Sequence, residues 1–418
     1  MIRRFEMTLP TALLAPLLFL LPACPAGEQQ PRRTTSGGDH TTGPNNARRT
    51  APTAPRWRPP AGPIRGLVEV EGNRFGVGLC VLRRHSARCG AVVSADPNHP
   101  PTFKVIPRPV KRLSQVRTIA PGGDHRCDLR TNGTVWCRGN NSRGQLGLGH
   151  LRPSRRPARV PQLTNVISLA TSWRTTCAAQ RDGAAWCWGE AATGQAGDGG
   201  RICPETSLRC TAGRLHRSPH RVVGLTDVRQ VYAAYGFACA LKKDATLWCW
   251  GANDAGQLGS GTGRSTSRPQ RVRGLTGVRQ VALGTNRSCA VTREGAVVCW
   301  PRAGKGRRRH KPARVGGLPA VTTVATGTDH VCAITARGEV WCWGDNKHGQ
   351  LGDGTREARA RPVRAQGLTG ATALLGLTAS TCAATAKDTL YCWGAMGLRT
   401  GNKRQQILVP RKVRLIGK

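Results

Sequence analysis

The hydrophobic and polar positions divide the chain into three stretches. Leu13–Leu21 is an almost uninterrupted apolar run, residues 25–62 contain almost no large apolar side chains, and the remainder repeats one pattern of short segments separated by turns. The apolar run is too short to span a membrane and has the length of the hydrophobic region of a signal peptide. The polar stretch cannot bury a core and is expected to be a disordered tether. The repeating stretch predicts strands and turns.

One block recurs along the third stretch. A cysteine is followed, after nine residues, by a second cysteine that usually lies within Trp-Cys-Trp-Gly, and then by Gly-Gln-Leu-Gly. The pairs are Cys127/Cys137, Cys177/Cys187, Cys239/Cys249, Cys289/Cys299, Cys332/Cys342 and Cys382/Cys392, with a weaker first copy, Cys80/Cys89, that has eight intervening residues. This makes seven copies.

The spacing of the cysteines predicts a hairpin in each copy. Between Cys177 and Cys187 the loop Arg181-Asp182-Gly183 lies at the midpoint, and its glycine fits the left-handed position of a three-residue turn. The two cysteines then face each other across the strands, at a separation that a disulfide can span. The left-handed position is held by Gly133, Gly183, Gly295, Gly338, Ala245 and Asp388.

All 17 cysteines can be assigned on this basis. Fourteen form hairpin pairs, Cys203 and Cys210 can pair with each other inside the one long insertion, and Cys24 remains for another role. Complete pairing is typical of an exported protein. Zinc binding is the competing interpretation, but the nine-residue spacing does not match that of zinc ligands.

Tryptophans cluster around the second cysteine of the copies. Because side chains alternate along a strand, these tryptophans face away from the cysteines. Packing between neighbouring sheets is the favoured interpretation, and stacking on a carbohydrate is the alternative. A repeat of about 50 residues built from strands and turns is typical of one four-stranded blade of a β-propeller.

The repeat resembles that of the regulator of chromosome condensation 1 family. The resemblance is strongest at Cys332–Thr355, which reads CAITARGEVWCWGDNKHGQLGDGT, and at Cys127–Gly149, and it covers about residues 64–418. It implies an all-β fold, a seven-bladed β-propeller. The fifth and seventh copies lack the Gly-Gln-Leu-Gly turn. Kelch propellers have a similar period, but their Gly-Gly pair does not recur here.

We expect most units to begin with a Pro-x-x-Val strand, such as Pro312–Val315. The last segment of this kind, Pro410–Val413, has no further unit after it. The first copy lacks a clear segment of this kind. We therefore expect the C-terminal strand to fill the gap in the first blade and close the ring, which would remove exposed sheet edges.

The N-terminus indicates export. Arg3 and Arg4 precede the apolar run, which ends in Leu21-Pro22-Ala23-Cys24 and resembles a bacterial lipobox. The resemblance implies a lipoprotein signal peptide over residues 1–23 and lipidation of Cys24. With the composition and the repeats, this divides the rest of the chain into a lipidated tether over 24–62 and a propeller over 63–418. An ordinary secretory peptide is the alternative. Because Pro25 follows the cysteine, we expect a location in the cell envelope, at the outer membrane.

The charge is strongly positive, with 64 Lys and Arg against 22 Asp and Glu, a formal net charge of +42. Such a field attracts anions, although a solvated basic surface without a specific function is the alternative. No catalytic or cofactor-binding motif was found, and neither a cofactor nor a metal is expected. His125 and His330 occupy the same repeat position, and this recurrence favours a structural role.

We therefore expect a non-catalytic binding scaffold, monomeric and anchored to the membrane by its lipid. The alternative is a propeller enzyme acting on envelope or extracellular glycans, and family resemblance makes guanine-nucleotide exchange a remote one. The partner is expected to be a protein or an anionic polymer, such as an acidic glycan, lipopolysaccharide or extracellular DNA. Two segments interrupt the repeat and are candidate binding sites: the insertion from about Gly199 to His220, and the basic run Lys305, Arg307, Arg308, Arg309 and Lys311.

Overall fold

The computed structural model describes residues 64–70, 77–83, 86–93, 102–105, 115–203, 210, 214–284, 287–301, 311–387, 389–400 and 403–416. All of them lie in one compact unit, Ala54–Lys418. The secondary-structure elements of these residues are β-strands arranged in seven sheets, which confirms the expected all-β class. Within the described part of the chain, no helix is long and apolar enough to cross a membrane.

Each sheet contains four strands that are consecutive in the chain. The first contains β1 (Ile64–Val70), β2 (Val77–Arg83), β3 (Ser86–Val93) and β4 (Thr102–Val105). The second contains β5 (Val116–Pro121), β6 (His125–Arg130), β7 (Val135–Gly139) and β8 (Ser154–Arg159). The third contains β9 (Val166–Thr171), β10 (Thr175–Gln180), β11 (Ala185–Glu190) and β12 (Leu215–Arg221). The fourth contains β13 (Val228–Ala234), β14 (Phe237–Lys242), β15 (Leu247–Gly251) and β16 (Thr266–Arg271).

The same order continues to the end of the chain. The fifth sheet contains β17 (Val278–Leu283), β18 (Arg287–Thr292), β19 (Val297–Pro301) and β20 (Ala313–Arg314). The sixth contains β21 (Val321–Thr326), β22 (His330–Thr335), β23 (Val340–Gly344) and β24 (Arg359–Arg364). The seventh contains β25 (Ala371–Gly376), β26 (Ser380–Thr385), β27 (Leu390–Thr400) and β28 (Lys403–Lys412), and a final strand, β29 (Arg414–Ile416), follows.

The hairpin between the second and third strands of a sheet has the geometry that its sequence requires. Gly183 adopts a φ of 90°, and the Ala184 N–H donates to Asp182 Oδ1 at 2.9 Å. Ala245 holds the same position with a φ of 64°, although its Cβ makes that conformation less favourable than for glycine. Asp388, the other non-glycine residue at this position, lies outside the described residues.

The hairpins bring the paired cysteines directly opposite each other. Cys177 pairs in register with Cys187, and the same holds in the other copies, including Cys80 and Cys89 in the backbone pairing of β2 with β3. Disulfides join Cys127–Cys137, Cys177–Cys187, Cys239–Cys249, Cys289–Cys299, Cys332–Cys342 and Cys382–Cys392, with Cα separations of 4.0–4.1 Å. A seventh disulfide joins Cys203 to Cys210 in the insertion.

The tryptophan that follows the second cysteine packs between sheets, which confirms that interpretation for this position. Trp188 is fully buried, and its Nε1 donates to the Gln145 carbonyl of the preceding copy at 2.9 Å. The contact recurs between Trp250 and Gln195 at 3.0 Å, Trp300 and Gln257 at 2.8 Å, and Trp393 and Gln350 at 2.9 Å. The glutamine of the Gly-Gln-Leu-Gly turn, which reads Gly-Gln-Ala-Gly at Gln195, therefore supplies a carbonyl acceptor for the tryptophan of the next sheet.

The first strands of the seven sheets contact one another in cyclic order, β1, β5, β9, β13, β17, β21, β25 and back to β1. Because each sheet runs in order from its first to its fourth strand, the fourth strands β8, β12, β16, β20, β24 and β28 lie at the outer edge of their sheets. Among the described strands, only the first sheet has a fifth member, since β29 pairs in parallel with β4.

A C-terminal strand does pair with the first sheet, β29 with β4, but the expectation that this strand is Pro410–Val413 is wrong. Arg411 and Lys412 belong to β28 and lie opposite Cys392 and Tyr391 of the seventh sheet. The first sheet has four strands of its own, so it has no gap for Pro410–Val413 to fill. The physical reason is that a Pro-x-x-Val segment ends its own sheet as the outer strand, as in β8, rather than beginning the next.

Candidate functional site

Most of the predicted anion-binding run lies outside the described residues, namely Lys305, Arg307, Arg308 and Arg309, and so does the predicted lipidation site Cys24. Lys311 is described and is exposed, two residues before β20. The grouping of these predicted site residues therefore stays a prediction.

The insertion is tied to the third sheet by an ionic cluster. Asp198 accepts hydrogen bonds from Arg214 and, at 2.9 Å, from His216 Nε2. The His216 ring stacks on His220 with centroids 4.5 Å apart. Burial raises the pKa of Asp198, but the hydrogen bonds from His216 and Gly200 outweigh it, so this pKa is lowered and the carboxylate form is favoured. The cluster fixes the end of the insertion on β12.

His125 and His330 form the same buried contact in two sheets. His125 Nε2 lies 3.0 Å from Thr176 Oγ1, whose hydroxyl donates to the Gln145 carbonyl at 2.8 Å. Because the Thr176 hydroxyl donates its proton to the Gln145 carbonyl, His125 must donate from Nε2 to the threonine oxygen. In the neutral ring the buried Nδ1 atom is then unprotonated, and it has no hydrogen-bond partner. His330 repeats this arrangement with Thr381 at 2.9 Å. Burial lowers the pKa of each histidine to about 4. Both rings join neighbouring sheets.

A cavity of about 550 Å³ opens among the first strands β5, β9 and β13. Arg117 and Arg229 lie at its rim and are exposed. The Arg229 Nη2 atom donates to the Val278 carbonyl of the next sheet at 3.0 Å. Tyr232 lines the cavity, and burial raises the pKa of its hydroxyl. The described lining contains no Asp or Glu.

The outer edge of the sheets is basic. The described outer strands of the second to seventh sheets each contain at least one Arg or Lys and contain no Asp or Glu. One cation recurs at a fixed register position, opposite the residue that precedes the second cysteine. These exposed cations are Arg159, Arg221, Arg271, Arg314, Arg364 and Lys412. We call these six residues the outer cation series.

Five members of the outer cation series are paired with an aromatic residue. The partners are Trp136, Trp186, Trp248, Trp341 and Tyr391, all half-buried. Residues directly opposite on two strands present their side chains on the same face of the sheet. Only Arg364 of the series has an ion pair among the described residues, with Glu339 at 3.2 Å. The arrangement presents a row of cations, one per sheet, that can contact repeated anionic groups.

The outer cation series was missed from the sequence, although a signal was present. A basic residue ends each outer strand and is followed directly by a small apolar residue, as in Pro157-Ala158-Arg159-Val160. Within a chain that is rich in arginine everywhere, this recurrence is visible only when the copies are aligned on their cysteines. The pairing of β7 with β8 then shows where this basic residue lies, since Arg159 is opposite Trp136.

A β-propeller with a basic outer edge is the class of protein that the fold and this surface define. A family model described as the RCC1-like domain matches residues 83–366, and the chain belongs to this family. Human WBSCR16 is similar in structure, with a TM-score of 0.59, 21% identity, and coverage of 78% of this chain and 89% of that one. Prp20p from Saccharomyces cerevisiae has a TM-score of 0.60 and 19% identity, with coverage of 75% and 80%. No curated protein matches the sequence.

Proposed function

We propose that this protein is a non-catalytic scaffold that binds an acidic polymer along the outer edge of its propeller. The observation that carries the proposal is the outer cation series, which places one exposed cation at the same register position in each of six sheets. A polymer with regularly spaced anionic groups can contact several of these cations at once. Multiple weak contacts then add to a useful affinity.

The overall charge supports an acidic partner. Prp20p is described as binding Gsp1p and histones. A basic partner such as a histone would be repelled by a chain whose formal net charge is +42, whereas a polyanion would be attracted to it. Membership of the RCC1-like family agrees with a binding or scaffold role, and the chemistry of the partner is inferred from the charge.

Among anionic polymers, an acidic glycan fits the surface best. The cation of each register pair can contact a carboxylate or sulfate, and the half-buried aromatic residue opposite it can contact the face of a sugar ring. The predicted lipid on Cys24 would place the propeller at the cell envelope, where such polymers occur. Lipopolysaccharide and extracellular DNA carry the same kind of charge and belong in the test as competitors.

The test compares three matched triple variants in binding to heparin fragments at constant ionic strength. The outer variant is Arg159→Ser, Arg221→Ser, Arg271→Ser, and the run variant is Arg307→Ser, Arg308→Ser, Arg309→Ser. The control, Arg181→Ser, Arg293→Ser, Arg337→Ser, removes three exposed hairpin-loop arginines and the same total charge. We expect the outer variant to lose at least tenfold in affinity, because three charged contacts are removed. An equal loss in the control would show that only net charge matters, and a loss confined to the run variant would transfer the site to that segment.

A further inference from the structure

The second sheet departs from the others on the face that it turns towards the preceding sheet. The third to seventh sheets carry a buried tryptophan after the second cysteine of the hairpin, and the second sheet carries Arg138 there. One residue after the first cysteine the same sheets have Ala178, Ala240, Ala290, Ala333 and Ala383, and the second sheet has Asp128. At the position one residue before the first cysteine, the third to seventh sheets have Thr, Ala, Ser, Val and Thr, whereas the second sheet has Arg126.

These three substitutions create a charged group where the other sheets pack small residues and an indole ring. Arg126 is 6% exposed and Asp128 is 3% exposed, and the Arg126 Nη2 atom donates to Asp128 Oδ2 at 2.9 Å. The pair is incompletely satisfied, because Arg126 Nε and Asp128 Oδ1 are buried without hydrogen-bond partners. An unpartnered buried donor costs free energy that small apolar residues at these positions would avoid.

The third member of the group adds a second unbalanced cation. Arg138 is half-buried, and burial, followed by the neighbouring Arg126, lowers the pKa of its guanidinium. Among the described residues, no carboxylate forms an ion pair with Arg138. Among the described residues, the two guanidinium groups of Arg126 and Arg138 therefore share one carboxylate, Asp128. The remaining positive charge favours the binding of an anion.

The two arginines line a cavity of about 400 Å³ beside the ends of β5, β6 and β7. Arg155 and Ser154, at the start of β8, complete its polar lining. Asp124 also lies on the wall, but its oxygens already accept hydrogen bonds from Asn140 at 2.5 Å and Gln145 at 3.4 Å. Three arginines thus line one cavity whose one described carboxylate, Asp124, already accepts two hydrogen bonds.

We propose that this cavity, lined by Arg126, Arg138 and Arg155, is a binding site for a phosphate group. A planar guanidinium presents paired N–H donors that match the oxygens of a tetrahedral oxyanion, and three such forks can surround one phosphate. The bound anion would accept hydrogen bonds from the guanidinium groups that line the cavity and would balance their positive charge. A metal cation is excluded as the occupant by the three arginines. The site is separate from the outer cation series and does not depend on the proposed glycan binding.

Isothermal titration of the full-length protein with inorganic phosphate tests the proposal. The wild type should bind one phosphate, and Arg138→Gln should weaken binding at least tenfold, because one charge-assisted contact is lost. Arg155→Gln, at an exposed position, should also weaken it and keeps the test valid if Arg138→Gln fails to fold. Arg181→Gln, which removes an exposed hairpin arginine, is the matched control and should bind as the wild type does.

A second set of titrations, with short polyphosphate and with a phosphorylated sugar, distinguishes a free phosphate ligand from a phosphate group carried by a larger molecule. Equal affinity for all three probes would identify a free phosphate group as the ligand, and tighter binding of either larger probe would identify a phosphate carried by that molecule. The absence of phosphate binding by the wild type at millimolar concentration, or equal binding by wild type, Arg138→Gln and Arg155→Gln, would overturn the proposal. The outer variant Arg159→Ser, Arg221→Ser, Arg271→Ser should retain phosphate binding, so this result is independent of the glycan experiment.

Discussion

Acidification should destabilise the protein through His125 and His330. Each ring donates from Nε2 to a buried threonine and keeps a buried, unpartnered Nδ1, and burial lowers both pKa values from 6.5 to about 4. In the unfolded chain each of these two histidines is protonated as the pH falls below about 6.5. In the folded protein each is protonated only as the pH falls below about 4. The folded state is therefore fully favoured above pH 6.5, and the advantage is lost progressively as the pH falls towards 4.

The size of the effect follows from the two pKa values. At pH 5 the unfolded state is largely protonated at each histidine while the folded state is not, and the difference amounts to about 2 kcal/mol per histidine. The two sites lie in different sheets and share no partner, so their effects should add to about 4 kcal/mol. The loss should be absent between pH 8 and pH 7.

Guanidinium unfolding, followed by tryptophan fluorescence at pH 7.5 and pH 5, measures the loss. The double variant His125→Gln, His330→Gln should be less stable than wild type at pH 7.5 but should lose about 4 kcal/mol less on acidification, because glutamine does not titrate. His150→Gln, at an exposed histidine, should keep the wild-type pH dependence. If wild type and the double variant lose the same free energy between the two pH values, the assignment of buried neutral histidines is incorrect.

Two further predictions concern the chain ends. Removal of Arg414–Lys418 deletes β29 and exposes the edge of β4, so we expect a loss of about 1–3 kcal/mol in unfolding free energy and a tendency to associate, measured by denaturation and light scattering; unchanged stability and a monomeric truncation would show that β29 contributes nothing. Cys24→Ser should abolish incorporation of labelled fatty acid in a bacterial host, and equal labelling of the variant and the wild type would refute the lipobox interpretation.

The repeat was readable from the sequence because each copy encodes its own turn. The midpoint loop with Gly183 predicts the hairpin, and the hairpin places Cys177 opposite Cys187, as the structure shows. The position at which one sheet ends and the next begins could not be predicted from the sequence. A Pro-x-x-Val segment has the same sequence pattern whether it is the first or the last strand of a sheet. Only the pairing of Arg411 with Cys392 shows that the segment is an outer strand.

The candidate sites were harder to predict because they depend on which residues of neighbouring strands lie opposite each other. Arg126, Asp128 and Arg138 are scattered along 13 residues of an arginine-rich chain and become one group only when β6 and β7 pair. The same is true of Arg159, whose partner Trp136 lies on the neighbouring strand. The basic run at Lys305–Lys311 is conspicuous because its charges are adjacent in sequence. Adjacency in sequence does not reveal which distant charges strand pairing brings together.

The dependence of glycan affinity on salt tests the central claim most directly. If the six members of the outer cation series contact a single acidic chain, the logarithm of the association constant for heparin should fall linearly with the logarithm of the salt concentration, with a slope of about −4. The outer variant, which lacks Arg159, Arg221 and Arg271, should give about half that slope, and the hairpin-loop control should keep the full slope. A slope near zero, or the same slope in all three proteins, would contradict binding along the outer edge of the propeller.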